Sequence, residues 1–241
     1  MKNEFIPYIL AGYPNLEATR ELLLHCHHLG VRFIELGIPF SDPSADGPVI
    51  QNAAELASRT FHMKECIAML KDIKKQGVSM EITIMSYANP IFAYGIDQLI
   101  NDTKDTNVKG LLIPDLPIEE HRLITPLFKK TSHIKPVWMI SENLNDDELA
   151  AITNKANYYL YLVSYIGTTG KNIDRYDHVK TMIHRAKKLK NIPIVVGFGL
   201  KSKNDVKQML QISDGAIIGT RIVEELGKGI APAKEFLSQI I

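Results

Sequence analysis

The 241-residue chain has little cysteine and almost no tryptophan: Cys26 and Cys66 are its only thiols and Trp138 its only indole. Both cysteines fall in stretches of helical period, so a disulfide framework is excluded as the basis of the fold, and a reducing compartment is expected. No charge sign dominates: 28 Lys and Arg stand against 27 Asp and Glu, a formal net charge of +1. That balance offers no electrostatic footprint for nucleic acid or an anionic membrane. The densest basic cluster, Lys187-Lys188-Leu189-Lys190, reads as a solvated helix end. No apolar stretch approaches the roughly 20 residues needed to cross a bilayer. The apolar run Phe5–Leu10 is too short for a signal-peptide core, and a cytoplasmic location is expected. His25, Cys26, His27 and His28 crowd one helical turn, but one i,i+3 pair without a third ligand motif makes no metal site. Linkers, low-complexity tracts and composition shifts are also missing, so one domain spanning residues 1–241 is expected.

What the chain does contain is regular alternation. Hydrophobic residues make up 45% and charged residues 23% of the sequence, ordinary values for a globular domain. Short runs rich in Ile, Val, Leu and aromatics, bounded by Gly, Pro, Asn or Asp, predict eight strands. They cover Phe5–Leu10, Val31–Leu36, Met80–Ser86, Val108–Pro114, Ile134–Ile140, Asn157–Ser164, Ile192–Gly197 and Asp214–Gly219. Helical stripes separate them. One follows Met63 through Ile67, Leu70, Ile73 and Lys74 to Gly77, and another joins Val179, Met182, Ile183, Ala186 and Leu189. Asn145 followed by Asp146, Asp147 and Glu148 reads as a capped helix start. Strand–helix alternation predicts a parallel sheet. Eight strands in a chain near the roughly 250 residues typical of such folds predict a closed (β/α)8 TIM barrel. Its chemistry should lie at the C-terminal strand ends.

The second strand and the loop behind it carry the most information. Alternation puts Val31, Phe33 and Glu35 on one face and Arg32, Ile34 and Leu36 on the other. If Ile34 and Leu36 pack on helices, Glu35 points into the barrel near its mouth, where desolvation raises its pKa toward a general acid/base range. Spacing alone leaves open a structural glutamate satisfied by a lysine or by backbone donors. Asp42 and Asp46 follow in a proline-rich loop, and each can be read as a turn residue through Asp-Pro or Asp-Gly. Gly197-Phe198-Gly199 and Gly219-Thr220 end strands seven and eight, the usual phosphate corner of these barrels. Glycines there let backbone N–H groups approach phosphate oxygens.

The run from Glu35 to Gln51, Glu-Leu-Gly-Ile-Pro-Phe-Ser-Asp-Pro-Ser-Ala-Asp-Gly-Pro-Val-Ile-Gln, resembles the signature of tryptophan synthase alpha subunits nearly residue for residue. Further matching segments are Pro7–Pro14, Met85–Pro90, Pro114–Pro117, Gly167–Gly170, Gly197–Gly199 and Gly215–Gly219. The resemblance implies a lyase that cleaves indole-3-glycerol phosphate by a retro-aldol reaction. It implies Glu35 as acid/base and Asp46 as the carboxylate at the indole N–H. It places Tyr87 on the indole pocket and has Tyr161 help position Asp46. Thr169 and Gly170 fall in a closing lid over Tyr165–Asp174, while Gly199, Gly219 and Thr220 hold the phosphate. It implies no cofactor in this chain and pyridoxal phosphate in a partner beta subunit, within an αββα heterotetramer. Contacts to that partner would come from the Pro39–Pro48 loop with Asp42, from Asn89 to Phe92, and from Asp115 to Pro117.

The chain departs from the family pattern in three places. The helix that precedes strand one in the family is nearly absent, Tyr165-Ile166 replace an Arg-containing lid start, and Thr220-Arg221 follow Gly219. Arg221 can strengthen phosphate binding or face solvent. Two alternatives stand beside the lyase. One is another phosphate-binding barrel enzyme, although no lysine is well placed at the strand ends to act as its acid. The other is a binding subunit that mainly regulates its partner.

Overall fold

The computed structural model describes residues 1–129, 132–163, 176–197 and 199–241. Parallel strands close into a barrel in strict chain order. They are β1 (Glu4–Leu10), β2 (Phe33–Gly37), β3 (Glu81–Met85), β4 (Val108–Leu112), β5 (Lys135–Ser141), β6 (Leu160–Val163), β7 (Ile194–Gly197) and β8 (Gly215–Ile218). Closure comes from β8 pairing with β1, Glu4 opposite Gly215 through Pro7 opposite Ile218, which leaves no open sheet edge. The helices are α1 (Leu16–His28), α2 (Pro48–Ser58), α3 (Met63–Lys75), α4 (Ala88–Tyr94), α5 (Ile96–Asp102), α6 (Asp146–Lys155), α7 (Asp177–Leu189), α8 (Lys203–Leu210), α9 (Thr220–Lys228) and α10 (Ile230–Ile240). The TIM barrel read from the sequence is the fold observed.

Local chemistry sets several helix starts. The Asn15 side chain accepts from Ala18 N–H at 2.9 Å to open α1. Asn145 and Glu148 form a reciprocal capping box at α6, each side chain bonding the other's backbone N–H at 2.9 Å, so two otherwise orphaned donors are satisfied. His25 on α1 bonds Lys234 O and Ser238 Oγ, both at 3.0 Å, and so ties α1 to α10. That contact gives the histidine cluster a structural use. Among the described residues no group of three or more His, Cys, Asp or Glu side chains is arranged to hold a metal. No described helix is long and apolar enough to cross a membrane.

The apolar residues divide into two cores, as strand alternation requires. Ile9, Ile34, Leu36, Ile82, Ile84 and Leu111 face outward and pack with the helices. Ile6, Tyr8, Leu10, Met85, Tyr159, Tyr161, Val195 and Ile217 belong to the inner cluster. Ile34 and Leu36 therefore lie where the sequence reading put them, and Glu35 faces the opposite way.

Four details differ from the sequence reading. β2 begins at Phe33, where its register with β3 starts opposite Glu81, and the Arg32 guanidinium before it pairs with Glu4. β6 begins only at Leu160, since Asn157 and Tyr158 bend and the ladder starts where Leu160 meets Trp138 and Ile194. Between β4 and β5 the chain forms a 3-10 segment, Ile118–Phe128, with Pro126 inside it. Proline lacks the N–H that a regular α-helix would use there. Leu189 is 47% exposed at the end of α7 rather than part of its buried stripe, and Lys187 beside it pairs with Asp214 at 2.8 Å.

Candidate active site

Glu35 lies near the mouth of the barrel on β2, with Tyr8 of β1 and Thr83 of β3 as its partners in register. It is 1% exposed, and its Oε2 is a buried oxygen without a hydrogen-bond partner. Among the described residues no lysine lines the cavity it faces, which argues against the salt-bridged reading of this glutamate. Burial pushes the Glu35 carboxyl up to about 8, and the nearby Asp46 charge adds to the rise. Desolvation and a like charge both disfavour the ionised form, so the proton is kept at neutral pH.

Asp46 is delivered by a loop that is tied down at several points. Ile38 N–H continues the ladder past β2 by donating to Met85 O at 2.8 Å. Gln51 of α2 then donates from its side-chain amide to Asp46 O at 2.9 Å and to Pro43 O at 3.3 Å. Tyr87, at the end of β3, donates its hydroxyl to Asp46 Oδ2 at 2.7 Å and accepts from Ala45 N–H at 3.0 Å. The Tyr87 ring leans on Phe40 with centroids 5.6 Å apart. Burial raises the Asp46 pKa while the Tyr87 bond lowers it. The two carboxyl groups thus sit in different environments, and only Asp46 has a donor favouring its charged form.

A cavity of about 110 Å³ joins these groups to the opposite side of the mouth. Its wall includes Tyr8, Glu35, Asp46, Tyr161, Gly199, Leu200, Gly219 and Thr220. A larger cavity of about 350 Å³ lies against the 3-10 segment and the ends of β4 and β5, lined by Leu116, Trp138 and Ile152 among others. The smaller one is the better candidate, because it holds both carboxyl groups with raised pKa values.

The sequence-derived site is therefore largely assembled. Glu35, Asp46, Tyr161, Gly199, Gly219 and Thr220 share one cavity. Tyr87 stands behind Asp46 and holds it, rather than lining the cavity wall. Thr169 and Gly170, with the lid Tyr165–Asp174, lie outside the described residues, as does Phe198. Arg221 points away from the cavity: it pairs with Glu224 and Glu225 and lies over the Phe236 ring at 5.8 Å. Of the expected partner contacts, Asp42, Asn89, Asp115 and Pro117 are exposed and Phe92 is 38% exposed. Asp115 also accepts from Ala88 N–H at 2.9 Å, linking the mouth loops after β3 and β4.

Sequence reasoning passed over Tyr8, Ile50, Met85, Leu200 and Ile217, which also line the cavity. Parity gave a usable signal for Tyr8, which shares the inward face of β1 with Ile6 and Leu10. The structure also gives the glycines a second reason. A Cβ on Gly37 would sit 2.2 Å from the Tyr8 hydroxyl oxygen, and one on Gly219 would sit 3.0 Å from the Tyr8 ring. A Cβ on Gly197 would fall 1.9 Å from the Tyr161 hydroxyl oxygen. These strand ends are bare partly because two inward tyrosines fill the space beside them. Gly199 has φ of +76°, a left-handed conformation that favours glycine.

Residues 1–240 match the family model described as tryptophan synthase alpha chain. Among curated relatives, the tryptophan synthase alpha chain of Petrotoga mobilis is 35% identical over 236 residues, covering 98% of this chain and 91% of the relative. That of Thermotoga petrophila is 39% identical over 238 residues, covering 95% and 94%. Among solved structures, the tryptophan synthase alpha subunit of Campylobacter jejuni superposes with a TM-score of 0.90 at 28% identity, covering all of this chain and 96% of that one. The tryptophan synthase complex of Pyrococcus furiosus gives a TM-score of 0.86 at 28% identity, covering 99% and 98%. With its sequence matched almost end to end and its barrel superposing on solved members, this chain belongs to the tryptophan synthase alpha chain family.

Proposed function

We propose that this chain is a carbon–carbon lyase that cleaves indole-3-glycerol phosphate to indole and glyceraldehyde 3-phosphate, with Glu35 as acid/base and Asp46 as the stabilising carboxylate. The observation that carries this reading is the pair itself: a buried Glu35 and a Tyr87-held Asp46 facing one cavity. The bond between ring carbon 3 and the glycerol chain breaks only if the ring can take its electron pair. Glu35 gives its proton to ring carbon 3, which turns the ring into an iminium-like electron sink. As the bond breaks, its electrons return to the ring and the adjacent chain hydroxyl becomes the aldehyde. That hydroxyl's proton goes to Glu35, so the acid is regenerated and the atoms balance. Asp46 accepts from the ring N–H and stabilises the positive charge that develops there. The ring itself is the electron sink, so the step needs no cofactor.

Gly199, Gly219 and Thr220 receive the phosphate at the β7–β8 corner, where α9 begins and its dipole favours an anion. The exposed mouth loops carrying Asp42, Asn89, Phe92, Asp115 and Pro117 take the beta subunit in an αββα assembly. That partner holds the pyridoxal phosphate and consumes the indole.

The test is release of indole from indole-3-glycerol phosphate by the purified chain. Glu35→Gln should lower kcat by at least about 10²–10⁴-fold, the usual contribution of general acid/base catalysis. Near-normal cleavage by that variant would remove Glu35 from the chemistry. Adding a cognate beta subunit should increase cleavage, and Asp42→Ala should weaken that increase more than the basal rate. A flat response to the beta subunit would dismiss the coupling and leave the lyase assignment standing.

A further inference from the structure

The two ends of the candidate site lie on strands that flank β1. Glu35 is on β2, and the Gly219–Thr220 corner follows β8, the other neighbour of β1. A ligand that reaches from the acid to the phosphate corner must therefore pass over the inward face of β1 at the mouth. The residue there is Tyr8, which is level with Glu35 in the ladder and lines the cavity.

Its placement is specific. The Tyr8 ring fills the space left by Gly219, and its hydroxyl lies against the position left bare by Gly37. The side chain is 5% exposed, yet no hydrogen bond to its hydroxyl is made by any described residue. Another inner tyrosine, Tyr159, donates to Thr83 Oγ1 at 3.0 Å. Tyr8 lines the cavity, so its hydroxyl is placed to bond a ligand there. The groups that face Tyr8 from neighbouring elements are Glu35 of β2, Asp46 of its loop and Tyr87 after β3; burial and those charges all hold its hydroxyl protonated. It is a donor at every working pH.

We propose that Tyr8 is a specificity-determining residue whose hydroxyl donates to a hydroxyl of the three-carbon chain of the substrate, between the reacting ring carbon and the phosphate. The inference rests on the reading of the cavity as the indole-3-glycerol phosphate site. It adds a contact that tells a hydroxylated chain from an alkyl chain of equal length. A site built to bond a hydroxyl rejects the analogue lacking it, because the buried protein group is then left unpaired.

The experiment measures binding rather than turnover. Calorimetry on the Glu35→Gln protein, with and without Tyr8→Phe, would compare indole-3-glycerol phosphate with the analogue whose chain hydroxyls are replaced by hydrogen. Phenylalanine keeps the ring that fills the space beside Gly219, so the barrel should stay intact, which circular dichroism can verify. Tyr8→Phe should weaken the hydroxylated substrate about tenfold, consistent with loss of one neutral hydrogen bond, and change the analogue less than about twofold. Equal weakening of both ligands would make Tyr8 a structural residue and overturn the proposal, as would no weakening of either. If the Glu35→Gln protein bound neither ligand at millimolar concentration, the reading of the cavity would fall and this proposal with it.

Discussion

The two walls of the cavity are built on opposite plans. The β2–β3 wall works through side chains: Glu35, Asp46, and the Tyr87 and Gln51 bonds that fix the loop. The β7–β8 wall works through missing side chains, Gly197, Gly199 and Gly219, with Tyr161 filling the room beside Gly197 and Tyr8 that beside Gly219. The first plan supplies proton transfer and charge stabilisation. The second supplies backbone and shape, which suits an anion and a chain that must be placed but not altered. One consequence is that substitutions on the first wall should act mainly on kcat, while those on the second should act mainly on binding.

The sharpest way to test the contrast is Asp46→Asn. An amide cannot supply the charge that an iminium-like ring requires, and kcat should fall by about 10²-fold or more. Tyr87→Phe, which removes only the holder of Asp46, should cost less, about tenfold, and should also loosen Ala45, whose N–H it accepts. Steady-state rates on both variants decide this, and equal losses would mean that Tyr87 does more than hold its neighbour.

A smaller effect is expected on the glycine wall, and it can break the comparison. Gly197→Ala should impair substrate binding because the new methyl group collides with the Tyr161 hydroxyl. Pairing it with Tyr161→Phe removes the nearest colliding atom but leaves ring carbons Cζ and Cε1 inside contact distance, so the double variant should recover only part of the lost affinity. If Gly197 serves only backbone approach to phosphate, Tyr161→Phe will rescue nothing. KM or substrate affinity across the four proteins of this cycle reads the coupling. The same reasoning changes what a bulky residue at Gly219 would mean, since it would strike Tyr8 as well as crowd a phosphate.

The walls also differ in how readable they were from sequence. The inward direction of Glu35 followed from alternation with Ile34 and Leu36, and the strand order followed from eight regular segments. Asp46 was ambiguous by itself, because Asp-Gly is a common turn pair; its bond to Tyr87 joins residues that only the fold brings together. The steric reason for Gly37, Gly197 and Gly219 could not be read, although backbone approach to phosphate was expected at Gly197 and Gly219. A missing side chain has no pattern of its own, and the tyrosines that need the space come from other strands. Strand–helix alternation expects an ordinary helix after β4, and the 3-10 segment found there, with Pro126 inside it, was not read from the sequence.

The chemistry of the β2–β3 wall depends on Glu35 holding its proton at neutral pH, which burial beside Asp46 favours. Infrared difference spectra of the wild type against Glu35→Gln, collected across a pH titration, isolate that single carboxyl group. Because the folded pKa is raised, the acid form should persist through neutrality and give way to carboxylate only near pH 8. A protonated-carboxyl band at pH 7 that the variant lacks is the predicted result. A Glu35 signal already fully carboxylate by about pH 5, near the range of an ordinary exposed glutamate, would contradict the account.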